Sequence, residues 1–180
     1  MADGEYGMTA ITRNARMVLM GGMGYPVTES PWGLPQLKTR LEAIGVQVLL
    51  VGWADRQSCN DFLKGFTGKK MLAGDSLGAG SAAQYAGDIT DPVDFVAGFQ
   101  PSMDDQRAVK GLITVPTNVI RAHCIFDPYW IDTLGLGQAS YVLPEGSKTV
   151  LLQTQMRGPH PFDWGIPQDM IFNEIRSLIK

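Results

Sequence analysis

The sequence predicts an α/β fold, a mostly parallel sheet of about six strands with helices on both faces. Three observations predict it. Short apolar and β-branched runs alternate along the chain with stretches of helical periodicity. The first three of these runs end in glycine, as strands entering tight turns do. At 180 residues, with 44% hydrophobic and 18% charged side chains, the chain is long enough for one well-cored domain and too short for two. No internal repeat or linker divides it, so residues 1–180 are expected to form a single unit, with residues 1–14 as a flexible N-terminus.

Each element has a local reason. Residues 16–20 (RMVLM) are an apolar run stopped by Gly21 and Gly22, and residues 46–51 (VQVLLV) are a second stopped by Gly52. Both read as buried strands. Between them, residues 35–44 (PQLKTRLEAI) place Leu37, Leu41 and Ile44 at i, i+4, i+7, with proline near the start and Gly45 past the end. That is a helix with one core face. Ser58 is expected to cap a second helix carrying Phe62, Leu63 and Phe66. A third strand over residues 70–73 runs into Gly74, and the small residues 78–83 form the helix that follows. Further strands are expected at 95–99, 117–124 and 149–153. A last helix over 167–179 aligns Ile171, Phe172, Ile175, Leu178 and Ile179 in one stripe.

Composition narrows the function classes. The net charge of −3 and scattered Lys and Arg offer no basic stripe for phosphates, which disfavours a nucleic-acid partner. The apolar runs fall far short of the roughly 20 residues that span a bilayer. The N-terminal stretch MADGEYGMTAITRNAR has no apolar block, so a secretory signal is not expected and a cytoplasmic location is. Cys59 and Cys124 are expected as free buried thiols of a reduced compartment.

In parallel sheets, ligands bind outside the carboxyl ends of the strands. The loops expected there hold Tyr25, Trp32, Trp53, Tyr129, Trp130, Phe162 and Trp164, among them every tryptophan of the chain. A single Trp commonly plugs the end of a core. Seven aromatics on one rim instead favour an apolar or stacking substrate pocket.

The same rim carries LAGDSLGAGSAAQY, residues 72–85, in which Ser76 belongs to both G-D-S-L and G-x-S-x-G. A serine hydroxyl becomes a competent nucleophile when a base takes its proton and an acid orients that base. The chain has two histidines. His123 falls inside an expected strand, where a packed histidine is the ordinary outcome, whereas His160 lies in the Gly/Pro-rich loop RGPHPFDWG on the functional rim. His160 is the better base. Asp127, directly after the fifth expected strand, is the preferred acid; as Asp-Pro it also reads as a plain turn. Asp163 competes with it, and Asp104, Asp105 and Asp132 sit in other loops. Donors for a developing oxyanion are expected from the Leu77 N–H, at the start of the helix after Ser76, and from the Met23 N–H, with Gly22 as alternative. No metal or organic cofactor is called for.

Taken together, these parts resemble the α/β-hydrolase superfamily over nearly the whole chain. The resemblance rests on the Gly-Gly loop after the first strand, G-D-S-L-G at residues 74–78, Asp127 after a later strand and His160 before the last helix, in the order Ser, Asp, His. The G-D-S-L family matches only at residues 74–77: there the motif closes the first strand and a D-x-x-H block supplies acid and base, whereas here Arg157 stands three residues before His160. The sequence departs from many α/β hydrolases in having Gly-Gly where they have His-Gly. The resemblance implies a compact, capless serine hydrolase that cleaves carboxylic esters with apolar or aromatic groups through an acyl-enzyme. A noncatalytic binding protein on the same fold, or a thioester, amide, C–C or acyl-transfer activity, is the alternative.

Overall fold

In the computed structural model, which describes residues 14–22, 33–102, 112–127, 140–156 and 165–180, strands and helices alternate as expected through residue 99, and among the described residues strands alone then follow until the last helix. The chain order is β1 (Ala15–Gly21), α1 (Leu34–Ala43), β2 (Gln47–Gly52), α2 (Arg56–Leu63), β3 (Lys69–Asp75) and α3 (Leu77–Ala86). It continues through β4 (Phe95–Phe99), β5 (Leu112–Thr114), β6 (Arg121–Phe126), β7 (Ser140–Val142), β8 (Val150–Gln155) and α4 (Gly165–Leu178). Six strands form one parallel sheet in the order β2-β1-β3-β4-β6-β8.

Period-two alternation sends neighbouring side chains of each strand into two separate cores. Val18, Met20, Leu72, Val96, Ala122 and Cys124 pack with Cys59 and Leu63 of α2 and Ala82, Ala83 and Ala86 of α3. Met17, Leu19, Met71, Ala73, Phe95, Ala97 and Ile125 pack with Leu34, Leu37 and Leu41 of α1 and Ile171 and Ile175 of α4. Helices therefore cover both faces. Cys59 and Cys124 are buried and unpaired, and burial pushes both thiols up to about 12, so neither is a ready nucleophile near neutral pH. Among the described residues no helix is long and apolar enough to cross a membrane.

Several boundaries differ from the sequence reading, each for a tertiary reason. The fifth main strand, β6, begins at Arg121 instead of residue 117. Residues 116–119 turn instead, with the Val119 N–H donating to Pro116 O, and the Asn118 amide donates to the carbonyls of Ala86 and Ile89 at the end of α3. Asp55 caps α2 by accepting the Ser58 N–H at 3.2 Å, so Ser58 lies inside the first turn and is not the cap. A separate parallel pair, β5 with β7, was not expected. It lays Tyr141, fully buried, beneath the first turn of α3, where its hydroxyl donates to Ala79 O at 2.7 Å. Of the expected N-terminal segment, only Asn14 is among the described residues; its carbonyl accepts the Lys69 N–H.

The strand order places a topological switch between β1 and β3. From β1 the chain moves outward to β2, then returns to the other side of β1 as β3. The helices that follow β1 and β3, α1 and α3, pack on opposite faces of the sheet there, the point at which parallel sheets bind ligands beyond their carboxyl ends.

Candidate functional site

Ser76 stands at that switch point, between the last residue of β3 and the first of α3. Its backbone has φ 50° and ψ −122°, a strained conformation for a residue with a Cβ, worth on the order of 1–3 kcal/mol. Hydrogen bonds fix it. The Ser76 N–H donates to Phe99 O at 2.9 Å, and Ser76 O accepts the N–H groups of Ser102 at 2.9 Å and Ala79 at 3.1 Å. The turn also needs close backbone contact on both sides. A Cβ on Gly74 would strike the Gly78 carbonyl, and one on Gly78 would strike the carbonyl of Met20 in β1. The two glycines of G-x-S-x-G thus let α3 start directly against the sheet.

The loop after β1 meets the same serine. A Cβ on Gly22 would lie 2.8 Å from Ser76 Cβ and 3.4 Å from its Oγ. Gly22 therefore admits the chain beside the hydroxyl. Its N–H, one of the two expected alternatives for an oxyanion donor, donates instead to Asp75 Oδ1 at 2.9 Å. Met23, the other, lies outside the described residues. Leu77 is the first residue of α3, and its N–H has no acceptor within the helix.

Asp127 follows β6 and is buried at 6% exposure. Its own N–H donates to Gln100 Oε1 at 3.1 Å. Gln100, also buried, has φ 47°; Ser76 and Gln100 are the non-glycine residues with positive φ among those described. The register aligns Asp75 with Phe99 and Phe99 with Ile125, so the ends of β3, β4 and β6 form a step in which residues 99–102 touch both Ser76 and Asp127. Ser76 and Asp127 are two strand spacings apart, roughly 10 Å between backbones, a gap that their side chains and one imidazole could bridge. Gln100 and Ser102 were not singled out from the sequence; the Gln-Pro-Ser run after a buried strand was the available signal.

His123 is in the middle of β6, not at its end, and is buried. Its Nε2 shares a hydrogen bond with Thr154 Oγ1 at 2.9 Å, and its Nδ1 faces Glu174 Oε1 of α4 at 3.5 Å. Four residues along a strand put it roughly 13 Å from Asp127, away from the rim. Trp53 follows β2 and is half-buried, with its carbonyl accepting the Tyr85 hydroxyl at 2.8 Å. That contact attaches it to the second half of α3. His160, Asp163, Asp104, Asp105, Asp132, Tyr25, Trp32, Tyr129, Trp130, Phe162 and Trp164 lie outside the described residues. The segment with His160 leaves the carboxyl end of β8, the strand beside β6, after Met156 donates its N–H to Phe126 O.

Electrostatically, the site is marked by Asp75. Burial pushes its carboxyl up to about 6, and the Gly22 N–H partly offsets that rise by stabilising the charged form. No group of metal-binding side chains occurs among the described residues. No protein-family model, curated protein or solved structure matches the chain.

Proposed function

We propose that the protein is a serine hydrolase of α/β-hydrolase type, acting on small carboxylic esters with apolar or aromatic groups. The observation that carries this reading is Ser76 itself: a serine held at φ 50°, ψ −122° on the strand-to-helix turn at the switch point of a parallel sheet. Strain of this kind persists where the surroundings over-determine it, and it projects a side chain out of the sheet toward bound substrate.

In this reading Ser76 Oγ attacks the ester carbonyl while His160 takes its proton. Asp127 orients the imidazole and stabilises its charged form. The N–H groups of Leu77 and Met23 receive the oxyanion of the tetrahedral intermediate. His160 then protonates the departing alcohol, leaving an acyl group on Ser76. Water activated by the same imidazole releases the acid and restores the serine. The rim aromatics line the acyl or alcohol side of the pocket.

Hydrolysis of nitrophenyl esters of graded acyl length tests the reading. Wild-type protein is expected to turn over, with Ser76→Ala reduced about 10³-fold or more. A folded wild type without turnover on any chain length, or an undiminished S76A variant, contradicts it.

A further inference from the structure

Asp75 is the residue of the site that the proposed chemistry leaves without a task. It ends β3 immediately before Ser76, and its Oδ1 accepts the Gly22 N–H at 2.9 Å across 53 positions of sequence. Gly22 is in turn the residue that closes on the Ser76 side chain. One carboxylate thus joins the nucleophile's own strand to the residue that lies against the nucleophile's side chain.

We propose that Asp75 is a positioning residue for the nucleophile: its carboxylate anchors the Gly22 N–H and so holds Gly22 against the Ser76 side chain, and weakening this bond slows turnover. The inference rests on the serine-hydrolase reading. It deepens that reading by making the placement of Gly22 beside Ser76 depend on a titratable group.

Among the described residues, the Gly22 N–H is the partner that holds the Asp75 carboxylate, and no ion pair with it occurs. Near the elbow stand Met20 and Gly21 of β1 with Gly22 after it, Phe99 of β4 with Gln100 after it, and Leu77 and Gly78 of α3, none of which titrates. The charged side chains of α1 and α4 engage others: Lys38 pairs with Glu42, Arg40 with Asp169, and Glu174 faces His123. Asp127 lies beyond β4 against Gln100, and in the proposed site His160 is the other titrating group. A charged oxygen accepts an N–H more strongly than a neutral one. The ionised form of Asp75 therefore holds the loop tighter than the protonated form, and with its carboxyl near 6 the grip loosens on mild acidification.

The test compares wild type, Asp75→Asn and Asp75→Ala by steady-state ester hydrolysis from about pH 5 to about pH 8.5, after labelling of Ser76 by a fluorophosphonate has been verified in each. Asn keeps an oxygen for Gly22 but cannot ionise; Ala removes it. Near pH 8, kcat of D75N is expected to be about fivefold below wild type and that of D75A about tenfold or more below D75N, with KM changed little. The wild-type advantage over D75N is expected to shrink toward unity as pH falls to about 5, because the protonated acid and the amide are then nearly equivalent neutral acceptors. An effect on folding alone would not follow that ratio. A wild-type to D75N ratio of one near pH 8, or a constant ratio at every pH, overturns the proposal, as does D75A as active as D75N. If D75A does not fold, the pH course of the wild-type to D75N ratio decides alone. Wild type that neither labels nor turns over refutes the hydrolase reading itself, a result distinct from labelled variants with the wrong ratio.

Discussion

Replacing Asp75 by Asn is expected to stabilise the fold above neutral pH while slowing turnover. In the folded protein the carboxyl titrates at about 6, against an ordinary value of 3.8. A raised carboxyl binds its proton more tightly in the folded than in the unfolded chain, so its contribution to stability is fully present below the unfolded value and is lost as pH rises through the folded one. The interval of about 2 pH units, at about 1.4 kcal/mol each, makes the ionised carboxylate a burden of about 3 kcal/mol above pH 7. Asn has no ionised form and escapes it. Urea unfolding followed by tryptophan fluorescence, at pH values from about 3.5 to about 8, reads the difference directly. Relative to D75N, wild type is expected to lose about 3 kcal/mol between those limits, roughly 1.5 M in midpoint for a slope near 2 kcal/mol/M. The difference removes every other titrating group shared by the two proteins. Parallel stability curves would refute the premise that burial opposes the charge on Asp75.

Three further substitutions probe the elbow and the proposed base. Gly78→Ala drives a methyl into the Met20 carbonyl, a backbone atom that cannot rotate away, and is expected to cost more than about 3 kcal/mol in stability; a neutral effect in the same unfolding assay would contradict the close approach of α3 to β1. His160→Ala is expected to lower kcat by about 10³-fold or more, while His123→Ala keeps most turnover and loses stability instead. The reverse pattern, read by paired kinetics and thermal melts, would move the base to the buried histidine.

Much of the scaffold was legible because it depends on local pattern. The run FVAGF is the whole of β4, and the i, i+4 spacing of Leu37 and Leu41 does set the buried face of α1. What escaped depends on distant partners. LIT and SYV, three residues each, carry no readable period and pair only with one another across the chain. The start of β6 was misjudged because Val119 and Ile120 look like strand residues, whereas Asn118 is committed to the end of α3. Asp55 displaced Ser58 as the cap of α2 because either side chain satisfies the preference for a polar N-cap. At the site, Ser76 stood out because its glycines are required locally. Asp75 does not stand out in the sequence, since its partner, the Gly22 N–H, is remote, and nothing near it in the chain reveals that bond. Gln100 was hidden similarly: its positive φ and its contact with Asp127 arise from the register of β4 against β6.

The central claim, that Ser76 is an activated nucleophile, is tested most directly by fluorophosphonate labelling followed by intact mass and peptide mapping. The account predicts one phosphonyl adduct per chain, located on Ser76, and none on the folded Ser76→Ala variant. An unlabelled, folded wild type, or an adduct at another residue that persists in S76A, would contradict it.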